Sequence, residues 1–138
     1  MNLKGSNILV TGGAGYIGTH VLLELLEVGS NPIVIDNLSN GIKELVPEEI
    51  PLVIADIKDT ETIEKTITNF KIDTVIHLAG SIVVPESLKN PSYYYENNVS
   101  KSLNLLQVCI KKNIDNFVFA STAAVYAPTT KHKITEDS

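Results

Sequence analysis

Apolar residues in this chain fall into two kinds of run that alternate from the N-terminus onward. One kind is short and continuous. Asn7 to Thr11 (NILVT), Pro32 to Asp36 (PIVID), Leu52 to Ala55 (LVIA), Thr74 to Leu78 (TVIHL) and Asn116 to Ala120 (NFVFA) each hold consecutive apolar residues bounded by glycine, proline or polar residues. Such runs predict strands buried on both faces of a parallel sheet. The other kind is periodic. From Gly15 to Val28, Ile17, Val21 and Leu25 recur at helical spacing, Leu22 and Leu26 widen the stripe, and Gly29 stands where a C-cap glycine belongs. A second helix follows Asp59 and Thr60 as candidate N-caps, with Ile63, Ile67 and Phe70 on one face and Glu61 paired with Lys65 outside. Val99, Leu103, Leu106 and Ile110 mark a third, long helix ending on Lys111 and Lys112, where cations suit the macrodipole. Asn37 to Glu49 reads as a loop with at most a short helix, Pro85 and Pro91 punctuate a second loop, and Ser121 to Ser138 shows no strong periodicity.

Strands alternating with helices imply βαβ units with right-handed crossovers. The fold class is therefore α/β: a Rossmann-type, doubly wound parallel sheet of about five strands in the order 3-2-1-4-5. At 138 residues, 43% hydrophobic and 20% charged, the chain is neither disordered nor fibrous in composition, and residues 1–138 read as one domain. A single cysteine, Cys109, excludes an intrachain disulfide and a Cys-based metal centre, and it reads as a small core residue on its helix. No metal is expected, and a reducing, cytoplasmic setting is. The net charge of −5, with no basic stretch beyond Lys111 and Lys112, argues against nucleic acid and anionic membrane as partners. No stretch resembles a signal peptide or approaches the length of a membrane span.

In such sheets ligands bind beyond the carboxyl ends of the strands. Immediately after the first strand, TGGAGYIG places Gly12, Gly15 and Gly18 at three-residue spacing at the mouth of the first helix. One glycine lets the backbone turn, one lets a pyrophosphate approach, and one lets helix and strand pack closely, while the helix N-terminus offers N–H groups to the anion. A ligand-free turn is the plain alternative, and the strand before and helix after the motif weigh against it. Asp36 closes the second strand, where a dinucleotide fold sets the carboxylate that accepts from the adenosine ribose, which argues for NAD. Asp56 lies at the same edge as a possible acceptor for the adenine amino group, with a turn role as an even alternative. Leu78, Ala79 and Gly80 would let the backbone pass beside the cofactor, whereas His77, inside an apolar strand, reads as a packed, hydrogen-bonded residue rather than a base. Of Tyr93, Tyr94 and Tyr95, at least two are expected to pack. Asn97 or Asn98 is a candidate N-cap of the long helix. Ser121 and Thr122 place hydroxyls beside the expected nicotinamide, too weakly acidic to serve alone as the base.

The segments TGGAGYIGTH, VIDNLSNG, ADI, DTVIHLAG, PESLKNPSYYYENNV and NFVFASTAAVY together resemble, in order and spacing, the UDP-glucose 4-epimerases of the extended short-chain dehydrogenase/reductase superfamily. The resemblance covers nearly the whole chain. It implies that Tyr16 and Ile17 contact the NAD pyrophosphate, Asp36 and Asn37 the adenosine ribose, and Asp56 and Ile57 the adenine. Ala79, Gly80 and Asn97 would line the rest of the cofactor path, and Thr122 would be the hydroxyl beside a UDP-hexose substrate. Related dehydratases usually carry an Asp–Glu pair where Ala123 and Ala124 stand here, which favours an epimerase. Where some epimerases have a lysine near NAD, this chain has Ile82.

The family's catalytic tyrosine and lysine belong to a YxxxK segment, and none of the five tyrosines here has Lys four residues on; Tyr126 is followed by Thr130. The expectation is thus an incomplete NAD-binding domain that lacks the YxxxK helix and the C-terminal substrate domain and is inactive alone. A non-catalytic NAD-binding module, or a fragment of an NAD-dependent dehydratase or decarboxylase, is the alternative. Partly uncovered Phe117, Val118 and Phe119 would favour self-association or a homo-oligomer.

Overall fold

The five continuous apolar runs become β1 (Asn7–Thr11), β2 (Asn31–Asp36), β3 (Leu52–Ile54), β4 (Thr74–His77) and β5 (Asn116–Phe119). The computed structural model describes residues 3–122, 125–126 and 134–135. Among them the strands form one sheet in the order β3-β2-β1-β4-β5, with every pairing parallel, as the sequence predicts. In the register, Leu9 is flanked by Ile33 and Val75, and Val10 by Val34 and Ile76.

Strand alternation sends these residues to opposite faces. On one face Leu9, Ile33, Ile35 and Val75 pack with Ile63 and Ile67 from α2 (Thr60–Phe70) and with Leu105, Val108 and Cys109. On the other, Ile8, Val10 and Val34 pack with Leu22 and Leu25 from α1 (Tyr16–Glu27) and with Val46 and Ile50 from the β2–β3 connection. That connection holds one short 3₁₀ turn, Lys43–Leu45. Helix ends follow local chemistry: Asp59 caps α2 by accepting from the Thr62 N–H at 3.1 Å, and Gly29 turns the chain after α1 at φ +77°.

Two expectations need correction. The segment around Pro85 and Pro91 is helical rather than a loop: α3 (Val84–Lys89) and α4 (Pro91–Tyr95) lead through a π-helical turn, Glu96–Ser100, into α5 (Lys101–Lys111). Each proline sits in a first turn, where its missing N–H has no intrahelical partner to lose and its fixed φ suits the helix. The second correction concerns the marker residues of the third helix. Leu103, Leu106 and Ile110 are exposed, Val99 falls in the π-helical turn, and α5 buries Leu105, Val108 and Cys109 instead. This helix carries two apolar stripes, and only packing decides between them. Of the three tyrosines, Tyr93 and Tyr94 meet edge to face with ring centroids 5.8 Å apart, the Tyr94 hydroxyl donates to the Val83 carbonyl and contacts Glu86, and Tyr95 is 70% exposed.

Candidate functional site

At the carboxyl end of β1 the chain turns at Gly12, with φ +72°, where a Cβ would lie 2.7 Å from the Ala79 backbone nitrogen. Gly12 is thus required both by the turn and by contact with the segment leaving β4. Gly18 packs against Gly13, at 2.6 Å from a would-be Cβ to Gly13 Cα, which draws α1 onto the loop. Gly15 is the helix N-cap; it offers no side-chain cap, and the first turn holds no acid. Tyr16 and Ile17, the first helical residues, are 81% and 60% exposed. An uncapped, acid-free and open helix N-terminus suits an anionic group such as a pyrophosphate.

Beside it, at the end of β2, Asp36 is only 8% exposed. Its Oδ2 accepts from the Ala14 N–H at 3.0 Å and its Oδ1 from the Leu38 N–H at 2.8 Å. A carboxylate has about four acceptor sites, so each oxygen keeps capacity for a further donor such as a ribose hydroxyl. The loop closes tightly here: a Cβ on Gly41 would stand 2.8 Å from Ala14 Cβ and 2.9 Å from Asp36 Oδ1.

Asn37 links this corner to the next carboxylate by donating to Asp56 Oδ2 at 3.3 Å. Asp56 also accepts from the Lys58 N–H at 2.9 Å and from Lys101 Nζ at 2.7 Å. Partial burial pushes the Asp56 carboxyl up, but the hydrogen bonds from Lys101, Lys58 and Asn37 outweigh it and hold the group below its ordinary value. Ile57 buries its side chain in the core, so a ligand contact from this residue has to use its backbone.

At the end of β4, His77 is 2% exposed, and its ring nitrogens meet Thr11 Oγ1 at 2.6 Å and Ser102 Oγ at 2.8 Å. Burial lowers its pKa to about 4, so it is neutral and structural near pH 7, as its setting in an apolar strand predicts. Leu78 continues the ladder by donating to the Thr11 carbonyl at 3.0 Å, and Ala79 and Gly80 then run past the glycine loop. The next residue is clamped: the Asn98 side chain accepts from the Ser81 N–H and donates to the Ser81 carbonyl, both at 2.8 Å. Asn97 donates to Ser81 Oγ at 2.9 Å. Neither asparagine caps the long helix, a further correction, because the chain is already helical before them and Asn90 caps α4 instead. Ser121 and Thr122 are exposed just beyond β5, and Ala123 and Ala124 lie outside the described residues.

The structure therefore gathers Gly12, Gly15, Tyr16, Ile17, Gly18, Asp36, Asn37, Asp56, Ile57, Leu78, Ala79 and Gly80 along one sheet edge. Asn97 is tied in through Ser81 and Thr122 follows the neighbouring strand. Sequence reasoning missed Ala14, Gly41, Ser81, Asn98 and Lys101 as parts of this edge. Gly41 had a signal in the turn sequence NLSNG; the others depend on partners remote along the chain. Among the described residues no cluster of three or more His, Cys, Asp or Glu is placed to hold a metal ion, and no helix is long and apolar enough to cross a membrane.

Residues 8–138 match the NAD dependent epimerase/dehydratase family. The UDP-glucose 4-epimerase of Azospirillum brasilense is 48% identical over 131 residues, a match covering 95% of this chain and 38% of that protein. The crystal structure of UDP-glucose 4-epimerase from Brucella ovis in complex with NAD superposes with a TM-score of 0.87 at 37% identity, covering 96% of this chain and 41% of that one. The Bifidobacterium longum UDP-glucose 4-epimerase, solved with NAD+ and UDP, gives a TM-score of 0.85 at 36% identity, over 96% of this chain and 42% of that one. This chain thus spans about two-fifths of the length of these relatives.

Proposed function

Because the chain belongs to the NAD dependent epimerase/dehydratase family, we propose that it is the NAD-binding portion of a UDP-glucose 4-epimerase whose full-length form interconverts UDP-glucose and UDP-galactose. The observation that carries this reading is the pairing of an uncapped α1 N-terminus with a carboxylate 3.0 Å from the Ala14 N–H, each suited to one end of an adenosine diphosphate. In this reading the backbone around Gly15, Tyr16 and Ile17 binds the pyrophosphate. Asp36 and Asn37 hold the ribose, Asp56 and the Ile57 backbone meet the adenine, and Leu78, Ala79, Gly80 and Asn97 line the path toward the nicotinamide. NAD, when bound, supplies the acceptor for hydride from the sugar C4. Thr122 hydrogen-bonds the sugar oxygen without removing its proton, since a lone hydroxyl is far too weakly acidic.

His77 does not serve as the base: it is buried with both nitrogens engaged, and burial lowers its pKa to about 4. None of the five tyrosines has Lys four residues on, so the 138-residue chain alone is expected to bind cofactor but not to epimerise. Loss of a positioned base alone costs about 10²–10⁴ in rate. A coupled assay on the purified chain, with a full-length epimerase as positive control, is expected to show no turnover; activity near that of the control rejects this part.

Cofactor choice tests the core of the reading. A 2′-phosphate facing Asp36 meets like charge, which at about 4 Å and an effective dielectric of 20 costs roughly 4 kcal/mol. Even a third of that favours NAD over NADP about tenfold. Titration with both dinucleotides is the measurement, and equal affinities reject the ribose role of Asp36.

A further inference from the structure

Lys101 lies in the first turn of α5, yet its side chain reaches the sheet edge and is 12% exposed, against 67% for Lys65 and Lys111 and 28% for Lys112 in the other ion pairs. Ordering and burying a lysine is unfavourable unless the ammonium finds a well-aligned partner. The partner is Asp56 Oδ2 at 2.7 Å, from the strand-three end of the sheet. Counting acceptors gives this pair a meaning beyond stability. Oδ2 receives both Lys101 and Asn37, while Oδ1 receives only the Lys58 N–H. With about four acceptor sites on a carboxylate, the capacity left open is one lone pair on Oδ1. Rotating the carboxylate to present another would break bonds to Lys101, Asn37 and Lys58 together.

We propose that Lys101 is a positioning residue that fixes the Asp56 carboxylate so that its one open lone pair selects a 6-aminopurine over a 6-oxopurine. The inference rests on the reading of this edge as the adenine end of a dinucleotide site. A 6-amino group donates to the open lone pair. A 6-oxo group turns a second acceptor toward an anion and is refused. Without Lys101 the carboxylate keeps only the Lys58 N–H and the longer Asn37 bond, loses its neighbouring positive charge, and no longer holds the one orientation that distinguishes the two.

The test is calorimetric titration of the 138-residue chain with NAD and with nicotinamide hypoxanthine dinucleotide, which differs only at the purine 6-position and its ring proton. A hydrogen bond to a charged acceptor supports a preference for NAD of about tenfold or more in the wild-type chain. Lys101→Met is expected to reduce the ratio to less than about threefold, through loss of NAD affinity alone, and Lys101→Arg to restore it. Asp56→Asn is expected to abolish the preference, and Lys101→Met added to it to change nothing further. Circular dichroism melts check that each variant folds; should Lys101→Met not fold, Lys101→Gln carries the same expectation. An unchanged ratio in the Lys101 variant overturns the proposal, whether both ligands weaken together, as they would for a loosened α5 or a direct lysine contact, or neither changes. A wild-type chain with no preference overturns it too. A wild-type chain that binds neither dinucleotide rejects the cofactor reading itself, a separate and recognisable result.

Discussion

Around β1 and β2 both faces of the sheet are covered, and Ile8, Leu9, Val10, Val34 and Ile35 have essentially no exposed surface. At the opposite margin α5 covers one face with Leu105, Val108 and Cys109, yet Val118 and Phe119 of β5 remain 51% and 58% exposed. Leu103 and Leu106 of α5 are exposed next to them, and with His77, Ser102, Phe117 and Phe119 they line a groove of about 310 Å³. Both regions pair their strands in parallel and carry runs of apolar residues. They differ in how far the helices and loops among the described residues cover them. Apolar residues in the first region are buried and act on stability; those in the second stand exposed among the described residues.

The sharpest test removes a side chain from the covered region. Leu9→Ala leaves a cavity in a fully buried layer between β2 and β4 and is expected to cost about 2–5 kcal/mol, read as a shift in urea midpoint at constant slope. A cost below 1 kcal/mol would show that this layer is not packed as described.

Acid probes the seam between the regions, where His77 of β4 joins Thr11 of β1 to Ser102 of α5. Its folded pKa, about 4, lies below the ordinary 6.5, so between these values the unfolded chain binds the extra proton. The stability this represents is complete above pH 6.5 and is lost as pH falls toward 4, by about 3 kcal/mol. Asp56 and Glu64, held below their ordinary values by Lys101 and Lys111 against the opposing effect of burial, extend the loss to lower pH. Urea melts across this range are expected to show the slope, and His77→Leu to flatten it; a wild-type stability unchanged from pH 7 to 5 would contradict the buried neutral imidazole.

Association tests the open margin. The chain is expected to self-associate through β5 and α5, and Leu106→Ser combined with Phe119→Ser to raise the association midpoint about tenfold or more, since each buried large apolar side chain contributes about 1.5–3 kcal/mol. Light scattering of a wild-type chain that stays monomeric at high concentration would remove this reading. The smallest effect is the complement: under dilute, monomeric conditions Leu103→Ala is expected to cost far less unfolding stability than Leu9→Ala, no more than about 1 kcal/mol, because that residue is 52% exposed. A loss comparable to Leu9→Ala would erase the distinction between the regions.

The alternation of NILVT, PIVID, TVIHL and NFVFA with periodic segments determined by itself the α/β class and the parallel sheet, because each strand and helix writes its period locally. Gly12, Gly15, Gly18 and Asp36 were legible for the same reason: a tight turn and a strand-end carboxylate are local requirements. Tertiary structure alone decided which stripe of α5 is buried, since Leu103 and Leu106 are as apolar as Leu105 and Val108. It also decided that Pro85 and Pro91 begin helices and that Asn98 holds Ser81 rather than capping a helix. The Lys101–Asp56 pair joins residues separated by 45 positions, and nothing in either neighbourhood announces the other. A local period records what a residue can bury or accept; only the folded chain determines which remote group arrives to meet it.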